Sequence, residues 1–461
     1  RDATEDPGRD REGQGVDRPG DGETERERHV AIVSRASSDR PDRCYARGVG
    51  RRVAPWLVLV VFLLVFVPAA AAGWQQVASG LTNIIQPATL RTTSGTELIA
   101  WNTPNGSLEL LRNGNLRTLL SANLVGKPAL VQQPSGAIQL YVPAQTLDAS
   151  LDGVVRLSSS DDGATWAAPV QTLSHDLADV GSAAVRPDGT PLFTQSTGTG
   201  LVNVYEGLNG ETMTNVFGEC CGYAESVAVD SSNVARVAFW SNGNSAPNRF
   251  VVDTLGGGST TFGTQTAPRD DRVPLVSFGT HTYMLWADGY PTATSVILER
   301  FPGGGVPLDR GSFSGGDPHM ALALEPDGKL WALWTKGGSV RAARSRTSGA
   351  SFGATVSVRD PSGSTAYQLE ALARPGSVDA LLNTGAAILR ERLLPGLTVR
   401  ATPKVATVLD DGFPVKGATL KGGGKTLHTN AKGRAVIAKL AKKARITVTA
   451  AGYTPTSFRV P

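Results

Sequence analysis

Seven short phrases in this chain share one plan: an apolar run, a turn centred on glycine or asparagine, and a second apolar run ending in polar residues. They read ATLRTTSGTELIAWN around Gly95, PALVQQPSGAIQLYV around Gly136, SAAVRPDGTPLFTQ around Gly189 and SVAVDSSNVARVAFWSN around Asn233. The series continues with VPLVSFGTHTYMLWAD around Gly279, MALALEPDGKLWALWTK around Gly328 and LEALARPGSVDALLNT around Gly376. Successive turn centres lie 41, 53, 44, 46, 49 and 48 residues apart. A lone hairpin is marginal in water, so hairpins returning at this period belong to a larger repeated unit, and the period matches propeller blades. Between the hairpins, GLVNVYEGL and ATSVILERF leave room for the other two strands of a blade. The expected fold is all-β: a six- or seven-bladed β-propeller over residues 74–396, followed by a small β-sandwich over 397–461.

Composition supports many turns and few helices, with 53 Gly, 28 Pro and 40% apolar residues, and no segment sustains a long helical period. The net charge of +4 conceals a division. Residues 397–461 hold eight Lys and four Arg against Asp410 and Asp411, a net +10, whereas residues 74–396 sum to −6 and residues 1–73 to zero.

The front of the chain stands apart. Residues 1–48 are rich in Arg, Asp and Glu, hold few large apolar groups, and read as a disordered extension. If Val49 is the initiator, they are not translated at all. Over 49–73, Arg51 and Arg52 precede an apolar run from Trp56 to Val67, then Pro68 and four alanines. That order predicts a secretory signal peptide, with a membrane anchor as the competing reading. The protein is therefore expected to be secreted or held at the cell surface, touching membrane only through this segment.

Cys44 lies in the extension, which leaves Cys220 and Cys221 side by side in GECCGYAES. A trans peptide holds adjacent Cα atoms about 3.8 Å apart, below the usual disulfide range, so a vicinal disulfide would need a strained loop. Two free thiols or an intermolecular bridge are the alternatives. His175, His281, His319 and His428 are scattered, and neither metal nor other cofactor is expected. Nothing indicates nucleic acid as a partner, and the chain reads as a monomer.

One stretch carries a family resemblance. Ser159, Asp161, Gly163, Thr165 and Trp166 match S-x-D-x-G-x-T-W, and SRTSGASFG is a degraded copy, where Ser345, Gly349, Ser351 and Phe352 keep position and Thr347 replaces the aspartate. The region resembles the sialidase-like, Asp-box propellers, in which the box is a structural staple (a BNR repeat). That family implies an arginine triad holding a substrate carboxylate and a Tyr–Glu pair with an Asp performing cleavage. The stretch NIIQPATLRTTSG resembles the family's first-arginine phrase, with Pro87 and Ala88 in place, but Ile85 stands where the arginine falls, and the second hairpin offers Gly126. Neither replaces a guanidinium. The resemblance thus implies the fold more than the reaction.

In a propeller the segments that enter the inner strands converge on one face. Nine residues before the turn centres stand Gln86, Lys127, Val180, Asp270, His319 and Tyr367, with Arg269, Asp271, Arg272 and Asp317 adjacent. Lys127, Tyr223, Arg269, Arg272, His319 and Tyr367 are candidate ligand-binding residues for a glycan or another extracellular ligand. The alternative is a divergent glycoside hydrolase using Glu225, Asp271 or Asp317, since such chemistry needs two carboxyl groups across a sugar. Trp101, Trp240, Trp286 and Trp334 recur six or seven residues after their turns and are expected to pack between blades.

From Leu397 onward the chain resembles the carboxypeptidase regulatory-like, or transthyretin-like, β-sandwich family. Asp411-Gly412, Pro414-Val415 and Gly417-Ala418 match its opening, and Thr429, Gly433 and Gly452-Tyr453 its later marks. Such modules are non-catalytic spacers or attachment units, and the charge suggests contact with anionic polymers of a cell envelope.

Overall fold

The computed structural model describes residues 73–81, 86–174, 178–244, 248–263, 271–289, 292–313, 318–361 and 367–461. The extension and the apolar leader lie outside the described residues, as do His175, Ile85, Arg269, Asp270 and Asp317. Every regular element described is a strand.

Seven antiparallel sheets form the propeller. Their innermost strands are Ala88–Arg91, Ala129–Gln132, Val180–Val185, Gly222–Val229, Leu275–Phe278, Met320–Leu324 and Gln368–Arg374. Each contacts the next, and the last contacts the first, so the ring closes with seven blades. Six blades are meanders in chain order, the second with an extra short inner strand, Leu124–Val125. The seventh takes three strands from residues 368–393 and its outermost strand, Gln75–Ser79, from the front of the region. Gln75 pairs with Arg390 and Ser79 with Ala387. Trp74 extends the clasp by donating its indole N–H to the Arg359 carbonyl at 2.8 Å.

Alternation along the strands puts apolar side chains against neighbouring sheets on both faces, which is why inner and second strands read as near-continuous apolar runs. Trp101, Trp240 and Trp334 are 2, 1 and 0% exposed, and Trp286 is also buried. On the face bearing the hairpin turns, each turn grips the next. Thr93 N–H donates to Gln132 Oε1 at 2.8 Å, Gln133 Nε2 to the Gly189 carbonyl at 2.8 Å, and Arg186 Nη1 to Asn233 Oδ1 at 3.1 Å. Ser231 N–H meets the Gly279 carbonyl at 2.8 Å, Gly376 N–H meets Glu325 Oε2 at 2.9 Å, and Arg91 Nε meets the Ala373 carbonyl at 2.7 Å. The remaining step is packing: the Phe278 ring lies where a Cβ on Gly328 would stand, 2.2 Å from its Cζ.

The Asp box follows the third strand of the second blade, Asp152–Ser159. Asp161 Oδ1 accepts from Thr165 N–H at 2.8 Å and from Ser159 Oγ at 2.9 Å, and Oδ2 accepts from Thr165 Oγ1 at 2.7 Å. Ser159 Oγ accepts from Gly163 N–H at 2.9 Å, and the Trp166 indole donates to the Gly163 carbonyl at 3.1 Å. The Thr165 hydroxyl and amide hold the Asp161 carboxyl down at about 2. Arg117 from the first blade donates to the Gly163 and Ala164 carbonyls, so the box also joins two blades.

Residues 398–459 form two further four-stranded sheets, stacked as a sandwich over Ala406, Val408, Ala418, Leu420, Ile446 and Val448. The sandwich docks on the sixth blade through its own two acids. Asp410, wholly buried, pairs with Arg344 and accepts from the Tyr453 hydroxyl at 3.1 Å, while Arg344 also reaches Glu325 at 3.5 Å. Asp411 enters the degraded box: its carboxylate accepts from Arg346 N–H at 2.7 Å, Thr347 Oγ1 at 3.3 Å and Ser351 Oγ at 2.6 Å. Ser345 Oγ still accepts from Gly349 N–H at 2.8 Å, and Phe352 packs at the edge of the adjacent core.

Candidate functional site at the hub

The segments leading into the inner strands form one mouth of the central channel. Polar side chains collect here because each strand begins at the axis, where a small radius leaves no room for a continuous apolar layer. Arg272, three residues before the fifth blade's inner strand, crosses the hub. Its Nη1 donates to the Pro87 carbonyl at 3.1 Å and its Nη2 to the Pro128 carbonyl at 2.5 Å, on the first and second blades. Nη1 stands 3.6 Å from Glu370 Oε1 on the seventh blade. Gln86 completes the knot, accepting from Arg272 N–H at 2.8 Å and donating Nε2 to Glu370 Oε1 at 2.7 Å.

Burial pushes the Glu370 carboxyl up to about 7, against the pull of Arg272 and Gln86. Burial likewise lowers Arg272, opposed chiefly by Glu370. Below this knot a cavity of about 180 Å³ is lined from all seven blades, with Gln86, Ser182, Ser226, Arg272 and Glu370 among its polar walls.

Two further pairs flank the knot. Lys127 Nζ lies 3.5 Å from Asp179 Oδ2, and Lys127 N–H donates to Asp179 Oδ1 at 2.9 Å. His319 Nδ1 and Asp271 Oδ2 are 2.5 Å apart. Glu225 sits within the fourth inner strand, where the register shifts between Tyr223 and Ser226 and Ala224 takes φ +60°. This bulge turns its side chain inward. Glu225 is 3% exposed, and burial raises its carboxyl above the usual range, with Ser196 and Lys127 opposing.

The structure therefore gathers Lys127, Asp271, Arg272 and His319 at the mouth. Tyr367 is 44% exposed at the rim, and Tyr223 stacks on Trp240 with centroids 6.0 Å apart. Glu225 is walled in rather than presented. Glu370, Asp179 and Gln86 carry as much of the site as any residue singled out for ligand binding. The glutamate in QLEALAR was a detectable signal, being a charge inside an otherwise apolar inner strand.

Cys220 and Cys221 precede the fourth inner strand as free thiols, with Cys220 exposed. The unbridged pair is compatible with two thiols or an intermolecular bridge, and Cys221 holds φ +81°. Thiol contact with Cys221 raises the Cys220 pKa.

An arginine at position 126 would force its neighbours to move. A Cβ there would stand 2.7 Å from Asp179 Oδ1 and 2.8 Å from Pro143 Cγ. Arg91, Arg374 and Arg390 do converge, but on the turn-bearing face, where Glu97 and Asp379 already occupy them. Among the described residues no group of three or more His, Cys, Asp and Glu is placed to hold a metal ion.

No family model matches this chain. No curated protein matches it in sequence. Among solved structures, it is similar to a Hadza microbial sialidase at 12% identity, covering 67% of this chain and 65% of that one, with a TM-score of 0.37. It is also similar to the Aleuria aurantia lectin in complex with a fucosyl sugar, at 12% identity over 60% and 97% of the chains and a TM-score of 0.40. A polysaccharide lyase acting as an ulvan lyase shows 10% identity over 70% and 94%, with a TM-score of 0.42.

Proposed function

We propose that this is a secreted or surface-held binding protein, a divergent relative of the sialidase-like Asp-box propellers, whose hub mouth takes a glycan or another small polar extracellular ligand. The observation that carries this reading is the convergence of Gln86, Lys127, Arg272, His319 and Glu370, from five blades, at one mouth, over a cavity that Gln86, Arg272 and Glu370 line. Donors and acceptors of both charge signs are fixed there before any ligand arrives, which suits a polyhydroxylated guest, and Tyr367 offers an exposed ring for stacking. The order of paired arginines, apolar run and alanines supports export. The sandwich, by its resemblance to regulatory-like modules, serves as an attachment unit or spacer.

Binding is favoured over the sialidase reaction because position 126 is a glycine crowded by Asp179 and Pro143 and Arg272 is held by carbonyls and Glu370. One observation favours hydrolysis as a second reading: Glu370 holds its proton near neutrality, as a general acid must. A glycan array run alongside chromogenic glycosides, sialosides included, tests both. Array binding lost in Lys127→Ala and His319→Ala, without turnover, supports the receptor. Turnover abolished by Glu370→Gln establishes the hydrolase, and neither binding nor turnover removes the mouth from consideration.

A further inference from the structure

The sandwich contains two acids, Asp410 and Asp411, and both are buried against the propeller. All eight of its lysines and all four of its arginines are exposed, and none forms an ion pair among the described residues. Docking thus removes every carboxylate side chain of this segment from the surface and leaves only cations there.

Some of these cations are ordered on one sheet face. The outer sheet runs in the order Lys425–His428, Thr419–Gly422, Arg445–Thr449, Thr456–Arg459. Strand alternation turns Leu420, Ile446, Val448 and Phe458 inward. Register then places Thr426, Lys421, Thr447 and Ser457 in one row across the outward face. In the next row Arg445 stands directly opposite Arg459. Like charges directly opposed across strands cost stability. The local relief is one hydrogen bond, from Arg445 Nη2 to Ser457 Oγ at 3.3 Å. With strands about 4.8 Å apart and alternate residues about 7 Å apart, the backbone positions of the three cations fall within roughly 12 Å of one another.

We infer that this face binds an acidic polysaccharide. Lys421, Arg445 and Arg459 meet the repeated carboxylate or sulfate groups, and the threonine and serine hydroxyls meet the sugar hydroxyls between them. The outward row carries no aromatic ring on which bases could stack, which disfavours a single-stranded nucleic acid. This site is independent of the hub mouth and is tested with different probes and variants.

The experiment measures binding of the full chain to polygalacturonate and to dextran sulfate, with neutral dextran and duplex DNA as comparators, over a series of salt concentrations. The triple variant Lys421→Ala/Arg445→Ala/Arg459→Ala is expected to lose at least about tenfold in affinity for an acidic glycan and to show a shallower salt dependence. A charge-matched variant away from this face, Lys404→Ala/Lys416→Ala/Lys432→Ala, is expected to lose less than about threefold. Arg459→Gln alone should weaken binding while Tm stays level or rises, because it dissolves the opposed arginine pair. Equal losses in the two triple variants, equal binding of neutral dextran, tighter binding of duplex DNA, or no binding of either acidic polymer would each overturn the assignment.

Discussion

Asp411 supplies from the sandwich the carboxylate that Thr347 lacks. In the intact box the Thr165 hydroxyl donates to Asp161 Oδ2 at 2.7 Å; in the degraded one the equivalent Ser351 hydroxyl donates to Asp411 Oδ1 at 2.6 Å. The Thr347 hydroxyl takes over the other duty, accepting from Ser351 N–H at 3.0 Å as Asp161 does from Thr165 N–H. One aspartate's work is divided between a threonine and a residue 64 positions away.

Asp411→Ala should therefore destabilise the sixth blade as well as the sandwich, by about 2 kcal/mol, since it strands three donors. Thr347→Asp alone should also destabilise, by setting two carboxylates together. The double variant Thr347→Asp/Asp411→Ala should recover part of the loss, and chemical denaturation of the four proteins measures that coupling. Strict additivity would show that the two positions act separately.

Arg344 is the second test of the docking. It lies 6% exposed between Asp410 and Glu325. Arg344→Ala leaves the buried Asp410 and Glu325 carboxylates only their longer cation contacts, to Arg346 at 3.6 Å and Lys329 at 3.8 Å, and should cost about 3 kcal/mol. Limited proteolysis should then cut between Leu393 and Thr398, where Pro395, Gly396 and Leu397 are buried in the intact protein.

Stability should depend on pH through Glu370. Its carboxyl titrates at about 7 in the folded protein against an ordinary 4.5, so the native state holds the extra proton between those values. The contribution is fully present below the unfolded pKa and is lost as pH rises through the folded one. Denaturation at pH 5 and pH 8 should show wild type losing up to about 3 kcal/mol relative to Glu370→Gln. A flat difference between the two proteins would place Glu370 in a wetter environment.

Restoring an arginine at position 126 should fail. Gly126→Arg must displace Asp179 or Pro143, and it is expected to lower stability by about 1–3 kcal/mol without creating sialoside binding. Calorimetry and a sialoside titration of the same preparation check both halves.

The propeller was legible because its signal is periodic: the turn at Asn233, with φ +64°, and that at Gly136, with φ +89°, repeat one local solution. The clasp strand Gln75–Ser79 was not, since five residues reading QQVAS carry no period and their partner lies about 300 positions on. At the mouth, charged residues before the inner strands could be read as a set, but not which ones pair. Glu370 meets Arg272 only because the fifth and seventh blades, not neighbours in the ring, come within one side chain's reach at the hub. The exchange between Thr347 and Asp411 was hidden for the same reason. Sequence showed a lost aspartate and a separate Asp-Gly turn, and only tertiary contact makes them one motif.

The clasp has a mechanical corollary. Gln75 and Leu393, where the chain joins and leaves the last blade, sit at the same end of one antiparallel pair. Tension applied across those two points would peel the pair open one hydrogen bond at a time, the weakest way to pull a sheet. Because Asp410 and Asp411 moor the sandwich to the sixth blade, a tug on the sandwich is diverted into Arg344 and its neighbours before it reaches that seam.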